Sequence, residues 1–208
     1  MRKIIAITQL TLDGVMQAPG GPEEDPSHSF THGGWFMRFG DEGVMQALDA
    51  AISGKFDLLL GRRTYDIWTS YWPHHDDNPI GKAFNRVTKY VVSRRLKKLG
   101  WDKSELIDGD VVKKIRRLKA AKGPALHVWG SGNLLQTLMT AGLVDEHRLW
   151  VVPLVLGSGK RLFEPGLPPH DLTLVDTRST PNGNLILTYR PAKPARKGAS
   201  KRFRVPAV

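Results

Sequence analysis

Apolar and polar positions along the chain follow two periods, and the period decides the element. Residues 3–10 carry the run Ile4-Ile5-Ala6-Ile7, which Leu12-Asp13-Gly14 breaks, predicting a first strand. From Asp41 onward, Val44, Met45, Leu48, Ala51 and Ile52 recur at helical spacing, and Gly54 supplies a stop signal. Residues 56–60 form a short apolar run that predicts a buried strand. Residues 62–70 predict a helix with Tyr65, Trp68 and Thr69 on one face. A polar loop at 73–79 separates this from a short helix at 80–86 and a strand at 89–92 that ends at Ser93. Residues 104–107 predict another short strand, and Asp108-Gly109-Asp110 caps a helix bearing Val112, Ile115, Arg116 and Leu118. A strand at 125–129 runs through Gly130-Ser131-Gly132 into a helix with Leu134, Leu135, Leu138 and Met139, which Gly142 ends. A strand at 147–153 follows. Two further strands, 172–177 and 185–189, flank Asn182-Gly183, a strong hairpin signal.

Strand and helix thus alternate about four times before an antiparallel hairpin. That order predicts an α/β fold with a mostly parallel central sheet and an antiparallel C-terminal hairpin. No shift in composition divides residues 1–190, which read as one domain. The loop at 17–34 is long for such a domain and holds Pro19-Gly20-Gly21-Pro22, Glu23-Glu24-Asp25 and Gly33-Gly34. Loops of that length tend to be functional or mobile.

Charge changes the picture only at the end of the chain. The whole carries 31 Lys+Arg against 20 Asp+Glu, a net charge of +11. Residues 191–208 hold Lys193, Arg196, Lys197, Lys201, Arg202 and Arg204 with no acid, so the body retains a net charge of only +5. A short tail of this composition cannot bury apolar surface, and the expectation is a mobile, solubilising segment. Contact with nucleic acid is expected only weakly and through this tail. The absence of cysteine excludes disulfides, thiolate catalysis, zinc ribbons and iron–sulfur clusters. No apolar run approaches the roughly 18 residues of a membrane helix. The N-terminal apolar run breaks at Thr8-Gln9, too soon for a signal peptide. A soluble, cytoplasmic protein is expected.

Open α/β sheets bind ligands beyond the carboxyl ends of their strands, and three strand ends carry suitable chemistry. Gly61-Arg62-Arg63-Thr64 joins a strand directly to a helix, combining close backbone approach, free N–H groups and guanidinium charge. Ser93-Arg94-Arg95 offers hydroxyl and guanidinium groups at a second end. Gly130-Ser131-Gly132-Asn133-Leu134 opens a helix at the third. Gly-x-Gly lacks the third glycine of a full dinucleotide fingerprint, since Leu135 stands there. The convergence of three ends predicts a polyphosphate cofactor, where any one of them would read equally well as a helix start or a basic turn. His74-His75-Asp76-Asp77 has metal-ligand composition but lies in one Pro-bounded loop, so no metal site is expected there.

In that order, these motifs resemble the dihydrofolate-reductase-like proteins. Thr11-Leu12-Asp13-Gly14, Gly142-Leu143-Val144-Asp145-Glu146 and Pro153-Leu154-Val155-Leu156-Gly157 more specifically resemble the reductase domain of the riboflavin-biosynthesis deaminase/reductase and its stand-alone bacterial relatives. The resemblance spans 2–190. It implies a three-layer fold, NADPH as cofactor, a homodimer and hydride transfer to a small heterocyclic substrate, as in 5-amino-6-(5-phosphoribosylamino)uracil reduction. By position, it implies that Gly61, Arg62, Arg63, Thr64, Ser93 and Arg94 approach the adenosine 2′-phosphate and diphosphate. Gly130, Ser131, Gly132, Asn133 and Leu134 would then receive the diphosphate and nicotinamide ribose. Asp13 is implied as the residue that orients or protonates substrate, with a turn residue as its alternative. Gln17 and Trp35 are implied as walls of the substrate pocket. The first helix offers Asp41, Glu42 and Asp49, none spaced like the pterin-binding acid of true dihydrofolate reductases. Two other readings stand beside the reductase. One is a non-catalytic protein retaining the nucleotide groove, and the other is a nucleic-acid-associated protein acting through the tail.

Overall fold

The computed structural model describes residues 1–192 and shows an eight-stranded sheet between two helical layers. In chain order the strands are β1 (Ile4–Thr11), β2 (Phe56–Gly61), β3 (Lys89–Val92), β4 (Ser104–Ile107), β5 (Ala125–Trp129), β6 (Glu146–Val152), β7 (Leu172–Ser179) and β8 (Leu185–Pro191). The helices are α1 (Glu42–Ile52), α2 (Arg62–Thr69), α3 (Pro79–Arg86), α4 (Val111–Ala120) and α5 (Gly132–Thr140). Across the sheet the order is β4-β3-β2-β5-β1-β6-β8-β7. The strands from β4 to β6 in that order pair in parallel, whereas β8 runs antiparallel to both β6 and β7. The fold is therefore α/β, with a mostly parallel sheet and the expected antiparallel hairpin at its edge.

Helix ends follow local chemistry. Asp41 accepts from the Val44 amide to cap α1, Asn78 accepts from Gly81 to cap α3, and Asp110 accepts from Lys113 to cap α4. One face of the sheet buries Ile5, Ile7, Leu58 and Trp129 against α1, α3 and Tyr65 of α2. The other buries Ile4, Ala6, Leu59 and Val128 against Ile115 of α4 and the leucines of α5. Alternation along β1 thus feeds both layers from one strand.

Two expectations need correction. Residues 72–74, placed partly in a polar loop, form a short 3-10 turn whose Trp72 packs on Phe84 and Trp68. Trp150, on the strand predicted at 147–153, is 3% exposed and belongs to the core. The domain also runs slightly beyond 190, because Pro191 lies in β8 and the Ala192 amide donates to the Asp171 carbonyl. The basic tail expected from 191 onward falls, from 193, outside the described residues.

Candidate functional site

A single cleft of 1440 Å³ opens along the carboxyl ends of β1, β2, β3, β5 and β6. Pockets for one drug-sized ligand run to roughly 300–1,000 Å³, so this one has room for a cofactor and a substrate together. Its two halves differ in chemistry. One is built from helix N-termini and arginines, the other from aromatic and aliphatic side chains.

In the polar half, α2 and α5 start side by side. The Gly61 amide donates to Ser131 Oγ at 2.9 Å, and the Ser131 amide donates to Thr64 Oγ1 at 3.0 Å. Gly130 and Ser131 both have φ of +55°, a left-handed pair that turns the chain sharply from β5 into α5. Glycine takes that conformation freely, whereas Ser131 does so at a cost. Neither Gly61 nor Ser131 caps its helix with a side chain. The first-turn amides of both helices therefore have no intrahelical carbonyl to bond and carry the positive end of the helix dipole. Asn133 is exposed at the rim, and Leu134 is buried beneath it.

The arginines fall into two groups. Arg62 pairs with Asp66 one turn on in α2, and Arg63 lies 3.4 Å from Asp25. Arg94 and Arg95 are exposed on the opposite lip and form no ion pair with any other described residue. Ser93 accepts from the Arg95 and Leu96 amides at 3.1 and 3.0 Å, which fixes the turn presenting both guanidinium groups.

The loop at 17–34 covers part of the cleft, and its polar side chains hold it there. Lys160 donates to Asp25 at 2.5 Å and to Ser27 Oγ at 2.7 Å. Burial alone would raise the Asp25 carboxyl, but the Lys160 and Ser27 bonds outweigh it and hold the group below the usual carboxylate range. Burial pushes the nearby Glu24 carboxyl up, against the opposing bonds from the Gly20 and Gly21 amides. Gln17 reaches the cleft, yet its amide nitrogen is bonded to the Asp25 and Ser27 carbonyls and its oxygen to the Lys160 amide. Trp35 is 5% exposed and donates its indole N–H to the Gln17 carbonyl at 2.7 Å. It stands behind Gln17, outside the cleft lining.

Asp13 also lies outside the lining. Its carboxylate accepts from Thr11 Oγ1 at 2.6 Å, from the Gly157 amide at 2.9 Å and from the Leu156 amide at 3.2 Å. Burial would raise this carboxyl, and those bonds outweigh the effect, leaving it lowered. The geometry makes Asp13 a tie between the end of β1 and the segment after β6. A proton donor held as a well-bonded anion would be poorly suited to its task.

The apolar half has Phe36, Val44, Leu48, Ile52, Phe84 and Trp150 among its walls. Gln9 and Trp129 lie on its floor, and neither was singled out as a binding side chain from the sequence. A signal existed for Gln9, a polar residue in step with the inward-facing Ile5 and Ile7 on β1. Elsewhere, His75 stacks on Tyr71 while Asp76 accepts from Asn85. Those two side chains are engaged in separate contacts. Among the described residues no group of three or more acidic or histidine side chains could hold a metal ion.

Comparison with known proteins places this architecture. The uncharacterized protein YyaP of Bacillus subtilis is 28% identical over 192 residues, covering 90% of this chain and 94% of that protein. YwjB of the same organism, also uncharacterized, is 26% identical over 181 residues, with 83% and 85% covered. The crystal structure of a protein described as belonging to riboflavin biosynthesis, from Shewanella sp. PV-4, is similar with a TM-score of 0.67 at 21% identity, covering 92% of this chain and 99% of that one. A pyrimidine reductase-like protein from Corynebacterium diphtheriae gives 0.62 at 14% identity, with 92% of each chain covered. Dihydrofolate reductase from Enterococcus faecalis, solved with NADP(H), gives 0.56 at 14% identity, covering 92% and 97%. These structural likenesses establish the fold. The RibD C-terminal domain model matches residues 2–186, nearly the whole described chain, and the protein belongs to that family.

Proposed function

We propose that the protein is an NADPH-dependent reductase acting on a small heterocyclic substrate, a reaction of the riboflavin-pathway reductase type. One observation carries the reading. Two helix N-termini, locked together through Gly61, Ser131 and Thr64, face a cleft whose other half is aromatic. Their unbonded amides suit a diphosphate. Arg94 and Arg95, unpaired among the described residues, suit a further phosphate at the 2′ position, where a bare ribose would call for a carboxylate. The donor set thus fits a phosphorylated dinucleotide. When bound, its dihydronicotinamide supplies the hydride.

The chain's own residues then bind, orient and exclude water. Gly130 takes the left-handed φ of +55° that the turn into α5 requires, a conformation any other side chain would adopt only with strain. Asp25 and Lys160 hold the 17–34 loop against the cleft, which limits water around the reacting atoms. The aromatic walls position a planar substrate, which hydride transfer requires within roughly 3–3.5 Å of its donor.

Calorimetric titration with NADPH and NADH tests the assignment. Arg94→Ala should weaken NADPH by about 1.5–3 kcal/mol, the usual size of a hydrogen bond to a charged group, and leave NADH nearly unchanged. Equal losses for both cofactors would remove the 2′-phosphate assignment. A wild-type protein that binds neither would end the reductase reading.

A further inference from the structure

The aromatic floor of the cleft holds two polar groups that the rest of the fold leaves unused. Trp129, the last residue of β5, is 5% exposed, and its enclosed indole N–H has no hydrogen-bond partner among the described residues. Native folds seldom bury a donor in this way. The Trp35 and Trp101 indoles, by contrast, donate to the Gln17 carbonyl and to Asn85 Oδ1, each at 2.7 Å. The neighbours of Trp129 are the rings of Trp150 at 5.7 Å and Phe84 at 5.9 Å, which offer no conventional acceptor.

Gln9 is the second group. Trp129 is the register partner of Ile7 on β1, and Trp150 is the register partner of Gln9 two residues further along. Strand alternation puts Ile7 and Gln9 on the same face, so Gln9 shares that face of the sheet with both tryptophans. It is half-buried and lines the cleft, and its amide is bonded to no other described residue. An amide offers a donor and an acceptor side by side. Phe36, Val44 and Ile52 complete the surroundings, and an apolar enclosure of that kind penalises a charged ligand.

We propose that Gln9 and Trp129 are the pair that selects the substrate, reading the cyclic-amide edge of a neutral planar ring. The Trp129 N–H meets a carbonyl oxygen, while the Gln9 amide meets the neighbouring ring N–H and C=O. This rests on the reductase reading of the cleft and names the chemistry that its apolar half accepts.

Lumazine (pteridine-2,4-dione) and 1,3-dimethyllumazine are suitable probes, since methylation removes the ring N–H groups and keeps the carbonyls. The full chain is titrated with each by calorimetry, with and without saturating NADPH. Wild-type protein should bind lumazine at least about tenfold more tightly than the dimethyl compound. Trp129→Phe should lose about tenfold in lumazine affinity, and Gln9→Leu should lose most of the discrimination between the two probes. NADPH affinity should stay within about twofold in both variants, which separates a lost contact from a damaged fold. Equal binding of the two probes by wild-type protein, or no binding of lumazine, would overturn the proposal. So would unchanged lumazine affinity in Trp129→Phe, which would assign the N–H to the face of a neighbouring ring. Should Trp129→Phe fail to fold, the probe ratio in wild-type protein and Gln9→Leu still decides. Lumazine discrimination without NADPH binding would retain the pair and dismiss the cofactor instead.

Discussion

Two histidines lie where water does not reach. His127 is 6% exposed and stacks on Phe56 with ring centroids 4.6 Å apart, while His147 is 1% exposed and lies near Phe163. Burial, with Arg148 adding to it, pushes His127 down to about 4 despite the opposing Glu146 carboxylate. Burial, with a contribution from His170, brings His147 to about 4 as well. Both are neutral in the folded protein at pH 7. In the unfolded chain they titrate near 6.5, so between about 6.5 and 4 the unfolded state binds more protons and stability falls as pH falls. Together they should contribute a slope of up to about 2.7 kcal/mol per pH unit in that window. Urea unfolding at several pH values checks this, with His127→Leu or His147→Leu expected to halve the slope roughly. An unchanged slope in both variants would assign the acid sensitivity to carboxylates. None of this was visible in the sequence, because burial depends on which strands flank each histidine. Asp13 shows the same limit. Thr11-Leu12-Asp13-Gly14 suggested chemistry, yet the residue's partners Leu156 and Gly157 stand more than 140 positions away. Gln17 lines the cleft, but its side chain is occupied with holding the loop.

Elements were far more legible than individual duties. Helical periodicity and capping residues located the five α-helices of the described residues, since Asp41 and Asp110 act within three residues of themselves. Strands at the sheet centre were equally plain as short apolar runs. The contact that brings α2 and α5 together was legible only in part. Gly61, Thr64 and Ser131 were recognised as residues of strand ends, but not as partners of one another. Serine stands at position 131 despite its strained left-handed φ because its Oγ accepts the Gly61 amide from the end of the neighbouring strand. Ser131→Ala keeps the strain and removes the acceptor, so it should destabilise the protein by about 1–3 kcal/mol and weaken NADPH binding. Ser131→Gly relieves the strain and should recover about 1 kcal/mol of stability without restoring the binding. Thermal unfolding paired with NADPH titration distinguishes the two effects. Wild-type behaviour of the Ala variant in both measurements would dismiss the junction as a binding element.

At the scale of the whole molecule, the parallel sheet and its antiparallel hairpin followed from element order, but the insertion of β5 between β2 and β1 did not. Strand order is set by packing across the entire chain rather than by any local signal. That order leaves β7 as an edge strand exposed along nearly all of its eight residues, with Leu174 at 47% and Val175 at 46% exposure. The opposite edge, β4, is only four residues long. A long edge with exposed apolar side chains offers unpaired backbone groups to another chain, a hazard that proteins manage by covering or pairing the edge. We propose that a second copy covers it, giving a homodimer in which the two β7 strands meet across a two-fold axis. Leu174 and Val175 supply the apolar contribution, because they alternate onto surfaces that the single chain leaves open. Asp176 and Arg178, 3.7 Å apart within one strand, can exchange partners across the axis without a change in net charge. Sedimentation velocity at micromolar concentration should show a dimer. Val175→Asp places a charge in the centre of that contact and should shift the protein to a monomer while leaving NADPH affinity unchanged, since β7 contributes nothing to the cleft. A wild-type monomer at those concentrations would refute the proposal, and a dimer indifferent to Val175→Asp would move the contact to another face.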